Sequence, residues 1–179
     1  IMPTRRGRFG TIRVNPSLQV RFNKKGDMIL LDRYDATEAK LALKDGDKFL
    51  WIKNDYKLEM YNGEIGRVDG LDLEDGSISL SMPDRHIVVP ARVKMYSRYH
   101  RRIIDYDPRK QLELGYAVTT HKAQGSEFDT IIYCITRGQA YLLNRRNLYT
   151  AITRAKNKVI IISDGKAMGL SMRRHTEMG

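Results

Sequence analysis

Thr130-Ile131-Ile132-Tyr133-Cys134-Ile135 and Lys158-Val159-Ile160-Ile161-Ile162-Ser163 are short apolar runs rich in β-branched side chains, the composition of strands covered on both faces. Between them, over Gln139 to Ala155, Leu148, Ala151 or Ile152, and Ala155 recur at helical spacing. Strand, helix and strand in that order predict a parallel pair joined by a right-handed crossover. A third run of the same kind, Leu112-Glu113-Leu114-Gly115-Tyr116-Ala117-Val118, precedes them, so the C-terminal part of the chain reads as α/β.

Further upstream the pattern changes. Asp47-Lys48-Phe49-Leu50-Trp51-Ile52-Lys53 alternates like a half-buried strand, and Asn62-Gly63-Glu64-Ile65-Gly66 carries turn chemistry. Ser77-Ile78-Ser79-Leu80-Ser81 and His86-Ile87-Val88-Val89-Pro90 read as further short strands. Short strands with tight turns predict a small β-barrel. Charge marks the same region. Residues 1–25 carry seven basic and no acidic side chains, residues 45–80 nine acidic and four basic, and residues 92–110 seven basic and two acidic. An insert over 45–92 thus divides a domain begun by residues 1–44 and completed by 93–179. Residues 24–44 and 82–110 show no pattern that places them, and 92–110 is a candidate to lengthen the barrel.

At 179 residues and 41% hydrophobic content the chain has material for one sizeable core and a small second module. Lys and Arg outnumber Asp and Glu by 32 to 21, a formal net charge of +11. That excess suits a polyanionic partner, and ribosomal and membrane-surface proteins share it. The single cysteine, Cys134, excludes an internal disulfide framework and a Cys-rich zinc site, and points to a reducing compartment. No signal peptide or membrane-length apolar stretch occurs, so a cytoplasmic setting without a membrane partner is expected. The first residue is Ile rather than Met, as expected of a segment from a longer chain.

In open α/β sheets ligands gather beyond the carboxyl ends of the strands, and the loop Thr119 to Asp129 leaves such an end. Hydroxyls and backbone amides at the start of a short helix receive phosphate, which makes Thr119 and His121 candidates for holding the backbone of a single strand. Gly125 allows a tight turn, and the Glu127 carboxylate can accept a hydrogen bond from a sugar hydroxyl. Each residue alone has a plain structural alternative: His121 as a helix cap, Gln124 as surface, Glu127 as a solvated loop charge. Arg154 is the strongest candidate. A planar guanidinium fork meets the charge that redistributes on a γ-phosphate better than an ammonium does. Its alternative is a helix-end cation worth about 0.3–1 kcal/mol. Arg98, His100, Arg101 and Arg102, interleaved with Tyr96 and Tyr99, form either a stacking-capable strip for single-stranded nucleic acid or a solvated face. No G-x-x-x-x-G-K-[ST] sequence occurs, so the chain has no phosphate loop and no metal-binding residues are assigned.

Two stretches carry a family resemblance: Gly115-Tyr116-Ala117-Val118-Thr119-Thr120-His121-Lys122-Ala123-Gln124-Gly125-Ser126-Glu127-Phe128-Asp129 and Leu148-Tyr149-Thr150-Ala151-Ile152-Thr153-Arg154-Ala155-Lys156. They resemble motifs V and VI of superfamily 1 helicases, and the wording T-x-H-K-x-Q-G-S-E-F is similar to the RecD-like (UvrD/RecD-type) branch. Weaker likenesses support it. Residues 2–10 and 15–19 resemble the segment around motif IV, and Asn54-Asp55-Tyr56 with Tyr61-Asn62-Gly63-Glu64-Ile65-Gly66 resembles the Src-homology-3-like barrel that RecD-like helicases insert in their second motor domain.

The resemblance implies an α/β fold: a RecA-like parallel sheet with helices on both faces, interrupted by that small barrel. It implies the C-terminal part of an ATP-dependent DNA helicase moving 5′-to-3′ on single-stranded DNA, with roles in repair or recombination. By motif match Arg154 is the arginine finger, Gly125 and Glu127 approach ATP with Glu127 at the ribose, and Thr119, His121 and Lys122 face DNA. Arg5 or Arg6 is a candidate second phosphate contact, and Arg101 a further DNA contact. ATP and Mg²⁺ would serve the parent protein, the metal ligands coming from an N-terminal RecA-like domain of the same parent chain, so residues 1–179 alone are expected to be inactive. Single-stranded DNA, that domain, and recombination or repair subunits are the expected partners. Two competing functions are a non-catalytic nucleic-acid-binding module and an adaptor whose barrel takes peptides on Trp51, Tyr56 and Tyr61.

Overall fold

Residues 1–32, 40–97 and 100–174 are described in the computed structural model. In chain order the elements are α1 (Thr11–Phe22), β1 (Met28–Leu31), β2 (Leu41–Lys44), β3 (Lys48–Trp51), β4 (Ile65–Leu71), β5 (Ile78–Ser81), β6 (His86–Val89), β7 (Val93–Ser97) and β8 (Arg102–Tyr106). A 3₁₀ turn over Pro108–Gln111 follows, then β9 (Leu112–Leu114), β10 (Phe128–Ile135), a 3₁₀ stretch over Arg137–Leu142, α2 (Arg145–Ile152), β11 (Ala155–Ser163) and α3 (Gly165–Arg173). The chain divides into two compact units, Gln19–Tyr116, and Ile1–Leu18 with Ala117–Gly179.

In the unit Gln19–Tyr116 an antiparallel sheet runs β6-β5-β4-β3-β9, with two separate hairpins, β1–β2 and β7–β8. Alternation sets the buried faces of this unit: Leu41 and Leu43 of β2, and Ile78 and Leu80 of β5, are buried while their neighbours are not. Phe49, Trp51, Met60, Val68, Val89, Leu112 and Leu114 complete one core with Leu31. Residues 24–44 and 82–110 supply β1, β2 and β6 to β8, of which only β6 was read from the sequence; residues 33–39, 98 and 99 lie outside the described set. The basic segment 92–110 makes its own hairpin and is not hydrogen-bonded into the five-stranded sheet.

The run 112–118 departs from expectation. It is not one strand of the α/β sheet: its first half, β9, pairs antiparallel with β3, and its last residue, Val118, accepts from Met2 N–H in the other unit (3.0 Å). An apolar run says a strand is buried but not against which neighbour. Gly115 marks the break, because a Cβ there would stand 2.4 Å from the Phe49 carbonyl oxygen. Compactness therefore runs over 19–116, wider than the 45–92 that charge outlines.

In the second unit β10 and β11 are parallel, Ile131 to Ile135 in register with Val159 to Ser163. Ile1 and Met2 extend the pairing: Cys134 N–H donates to the Ile1 carbonyl (3.1 Å), and Met2 forms a parallel bridge with Thr119. α2 and α3 bury Tyr133, Ile135, Leu143, Ala151 and Ala167 together. Along β11, by contrast, Val159 to Ile162 are 37–57% exposed on alternating faces. Among the described residues no helix is long and apolar enough to cross a membrane.

Candidate functional site

Thr119 ends the segment beside Met2, and the chain then turns over residues 120–125. The Thr119 carbonyl accepts the Ala123 N–H (2.9 Å) and its Oγ1 accepts the Lys122 N–H (3.2 Å), so Thr119 caps the turn as an N-terminal threonine caps a helix. The expected short helix is a single turn. Gly125 ends it with φ +86°, a left-handed conformation that glycine alone takes without strain, and nothing lies within 4 Å of where its Cβ would be. Thr120 and Ala123 point inward, whereas His121, Gln124 and Gly125 are exposed and Lys122 is half-buried. Glu127 pairs with Lys156 at 3.3 Å, both side chains more than half exposed, a contact worth about 0–1 kcal/mol.

Arg154 sits in the turn between α2 and β11. Phe128 N–H donates to the Arg154 carbonyl (2.8 Å) and Phe128 is in register with Ala155, so Glu127 and Arg154 stand at the amino ends of adjacent strands. Glu127 and Arg154 thus lie at amino ends rather than the expected carboxyl ends, and Thr119 meets the sheet only through its isolated bridge to Met2. Thr153 Oγ1 donates to the Tyr149 carbonyl (2.9 Å) and accepts from Arg154 Nη2 (3.3 Å), orienting the guanidinium. Arg154 Nε is buried without a hydrogen-bond partner, and among the described residues no carboxylate pairs with this cation. A buried donor on an obligate cation calls for an acceptor.

The remaining candidates are dispersed. Arg5 is half-buried in the loop between Met2 and α1; the carbonyls of Thr4 and Arg5 accept the N–H groups of Thr11 and Ile12 (3.2 and 3.1 Å), which occupies first-turn amides of α1. Arg101 belongs to the other unit, at φ 50° in the turn after β7. Within the aromatic and basic strip, two described residues lie on different faces of the hairpin. Tyr96 faces Ile103 across the hairpin, and Arg102 faces Ser97, so Tyr96 and Arg102 point to opposite sides because side chains alternate along a strand. Arg98 and Tyr99 of that strip lie outside the described residues. Trp51 is fully buried and Tyr56 and Tyr61 are exposed, which removes Trp51 from any peptide groove.

Sequence reasoning passed over four residues that hold the surroundings of the site in place. Gln139 Nε2 donates to Thr4 Oγ1 and to the Phe9 carbonyl (both 3.1 Å), while its Oε1 accepts the Thr136 N–H; the spacing Thr136-x-x-Gln139 was the available signal. Asn15 holds Ala117 by bonds to both its N–H (2.6 Å) and its carbonyl (3.0 Å). Lys156 partners Glu127, and Asn147 joins the turn to α2. Asn15 and Lys156 fall within the stretches that resemble motifs IV and VI without being singled out there, and Asn147 falls in none.

Residues 114–162 match the family described as UvrD-like helicase C-terminal domain. Over 177 residues, 99% of the chain, there is 28% identity to the ATP-dependent RecD2 DNA helicase of Deinococcus radiodurans, of which the chain covers 21%. Over 117 residues, 65% of the chain, there is 31% identity to the RecBCD enzyme subunit RecD of Mycolicibacterium smegmatis, of which it covers 18%. The chain thus spans about a fifth of the length of these curated relatives. A solved Pif1 helicase from Bacteroides, in complex with ADP-AlF3 and ssDNA, is similar with a TM-score of 0.61, over 98% of this chain and 42% of that one, at 22% identity. At that identity the likeness is one of fold alone, a domain of mixed sheets and helices.

Proposed function

We propose that this chain, which carries a UvrD-like helicase C-terminal domain over residues 114–162 and has RecD and RecD2 relatives along most of its length, is the C-terminal motor portion of an ATP-dependent DNA helicase that moves 5′-to-3′ on single-stranded DNA. One observation carries the assignment: Arg154, oriented by Thr153 and bonded through its backbone to the residue after Glu127, holds a cation without an acidic partner among the described residues and a buried Nε without a hydrogen-bond partner. That arrangement fits the phosphate end of a nucleotide. Bound ATP with Mg²⁺ would supply the phosphoryl group whose transfer drives movement. Arg154 would hold γ-phosphate oxygens as the finger, the open backbone at Gly125 would allow close approach, and Glu127 would exchange Lys156 for a ribose hydroxyl. Arg5 is retained as a second phosphate contact. The metal ligands and phosphate loop would come from an N-terminal RecA-like domain of the parent chain, and recombination or repair subunits are candidate partners. The cytoplasm, where ATP and DNA meet, is the setting implied.

Two features support the finer architecture. The parallel pairing of β10, β11 and residues 1–2 suits a RecA-like sheet, and the open apolar stretch Val159–Ile162 suits further elements of the parent covering it. The antiparallel strands between β3 and β9 suit a Src-homology-3-like insertion within that domain.

His121, Lys122 and Thr119 on one turn are proposed to meet the DNA backbone, and Arg101 is retained separately as a proposed DNA contact. The chain is expected to bind single-stranded oligonucleotides weakly and with slight sequence preference, its affinity falling steeply with salt as counterions are released. Titrations at several salt concentrations check this. Binding that ignores salt, or that selects one sequence tightly, favours a dedicated recognition module instead.

A further inference from the structure

Thr120 lies between Thr119 and His121, yet its side chain is buried and faces the helix that leads to Arg154. Its Oγ1 donates to Asn147 Oδ1 at 3.1 Å, a shorter bond than its alternative to the Met2 carbonyl at 3.4 Å. The same Asn147 oxygen accepts the hydroxyl of Tyr133, 2.6 Å away, from the middle of β10. Tyr133 is fully buried, and burial pushes its pKa up to about 12, so the hydroxyl stays a donor. Asn147 is the third residue of α2; its N–H donates to Oδ1 of Asn144 at the helix cap (2.8 Å). One carbonyl oxygen therefore ties three elements: the turn that presents Thr119 and His121, the strand that follows Glu127, and the helix whose far end carries Thr153 and Arg154.

Apart from backbone pairing, the turn and α2 could have met through apolar contacts alone. A hydrogen-bonded link is different, because its angles restrict both partners, and moving Thr120 strains or breaks a bond to Asn147. Displacement of the turn by a bound strand would thus reach the first turn of α2, and α2 is only eight residues long. We infer that Asn147 is a positioning residue that couples occupancy of the Thr119–Gly125 turn by single-stranded DNA to the placement of Arg154. The inference rests on the helicase assignment above. Asn147 touches neither ligand in this scheme; it acts through Thr120 and Tyr133.

The test uses the intact parent chain and reads the ratio of ATP turnover with and without a single-stranded oligonucleotide. Asn147→Leu removes the shared acceptor at similar volume, and its ratio is expected to fall by about tenfold, within the usual range of coupling between sites, while basal turnover stays near wild type. Asn147→Asp keeps an acceptor oxygen at a helix start that favours negative charge, and is expected to retain the ratio. Tyr133→Phe, which keeps the ring, covers the case in which the Leu variant fails to fold; it should lower the ratio partway. Thermal melting accompanies each variant. A wild-type ratio in both Asn147→Leu and Tyr133→Phe would overturn the coupling role, as would a loss in Asn147→Asp equal to that in Asn147→Leu. A wild-type parent without DNA-stimulated turnover would instead remove the helicase assignment, so the two failures are distinct.

Discussion

Arg154→Ala in the intact parent chain is expected to lower ATP turnover by about 10³-fold or more, the usual size of an arginine-finger loss, with little change in DNA affinity. The reason lies in what surrounds the side chain. Thr153 holds the guanidinium, no carboxylate neutralises it among the described residues, and its Nε has no partner. Arg154→Lys is expected to rescue poorly, because an ammonium on a flexible stem cannot reproduce a planar fork. A cation that merely favours the end of α2 would tolerate Lys almost fully. Turnover and melting temperature measured on both variants separate these cases. Near-normal turnover in the Lys variant, or a loss in the Ala variant that only follows melting, would remove Arg154 from the finger role.

The largest stability effect is expected at Asp47, which is fully buried in the other unit. Its carboxylate accepts from Gln19 Nε2 (2.5 Å), Asn23 Nδ2 (2.7 Å), Lys44 N–H (2.8 Å) and the Tyr116 hydroxyl (2.8 Å). Gln19 opens that unit and Tyr116 closes it, so one carboxylate ties its first and last residues. Desolvation, reinforced by the bond to Asp47, pushes the Tyr116 pKa up to about 12 and keeps its hydroxyl a donor. Gln19 and Asn23 retain second acceptors in the carbonyls of Ala42 and Asp45, whereas Lys44 N–H and Tyr116 would lose theirs. Asp47→Ala is therefore expected to cost about 3 kcal/mol. For a chain of this size that lowers the melting temperature by roughly 6–12 °C. Asp47→Asn, which keeps one acceptor oxygen, should cost less. A melting temperature for Asp47→Ala within about 1 °C of wild type would mean that the clasp contributes nothing.

Much of this architecture was legible from pattern. The strands at 48–51, 78–81, 86–89, 128–135 and 155–163 follow from alternation or β-branched runs. Other elements were hidden for physical reasons. β1 reads Met28-Ile29-Leu30-Leu31 without alternation, and no residue of β7 or β8 is buried, so neither gives a strong apolar signal. The helical spacing over 139–155 merged a 3₁₀ stretch with α2, because Asn144, the cap that separates them, is a single polar residue in an otherwise continuous pattern. At the site, Gly125, Glu127 and Arg154 could be singled out by motif wording. Asn147 could not: an asparagine in the first turn of a helix already has a local explanation, and its link to Thr120 and Tyr133 exists only across the fold.

The most direct measurement is steady-state ATP hydrolysis by residues 1–179 alone and by the intact parent chain, each with and without single-stranded DNA. Because the chain holds Arg154 and Glu127 but no phosphate-loop sequence, the isolated chain is expected to show no DNA-stimulated hydrolysis, and the parent chain to show it clearly. Robust hydrolysis by the isolated chain that survives further purification, or a parent chain that single-stranded DNA leaves unstimulated, would contradict the assignment of these residues to one side of a helicase nucleotide site.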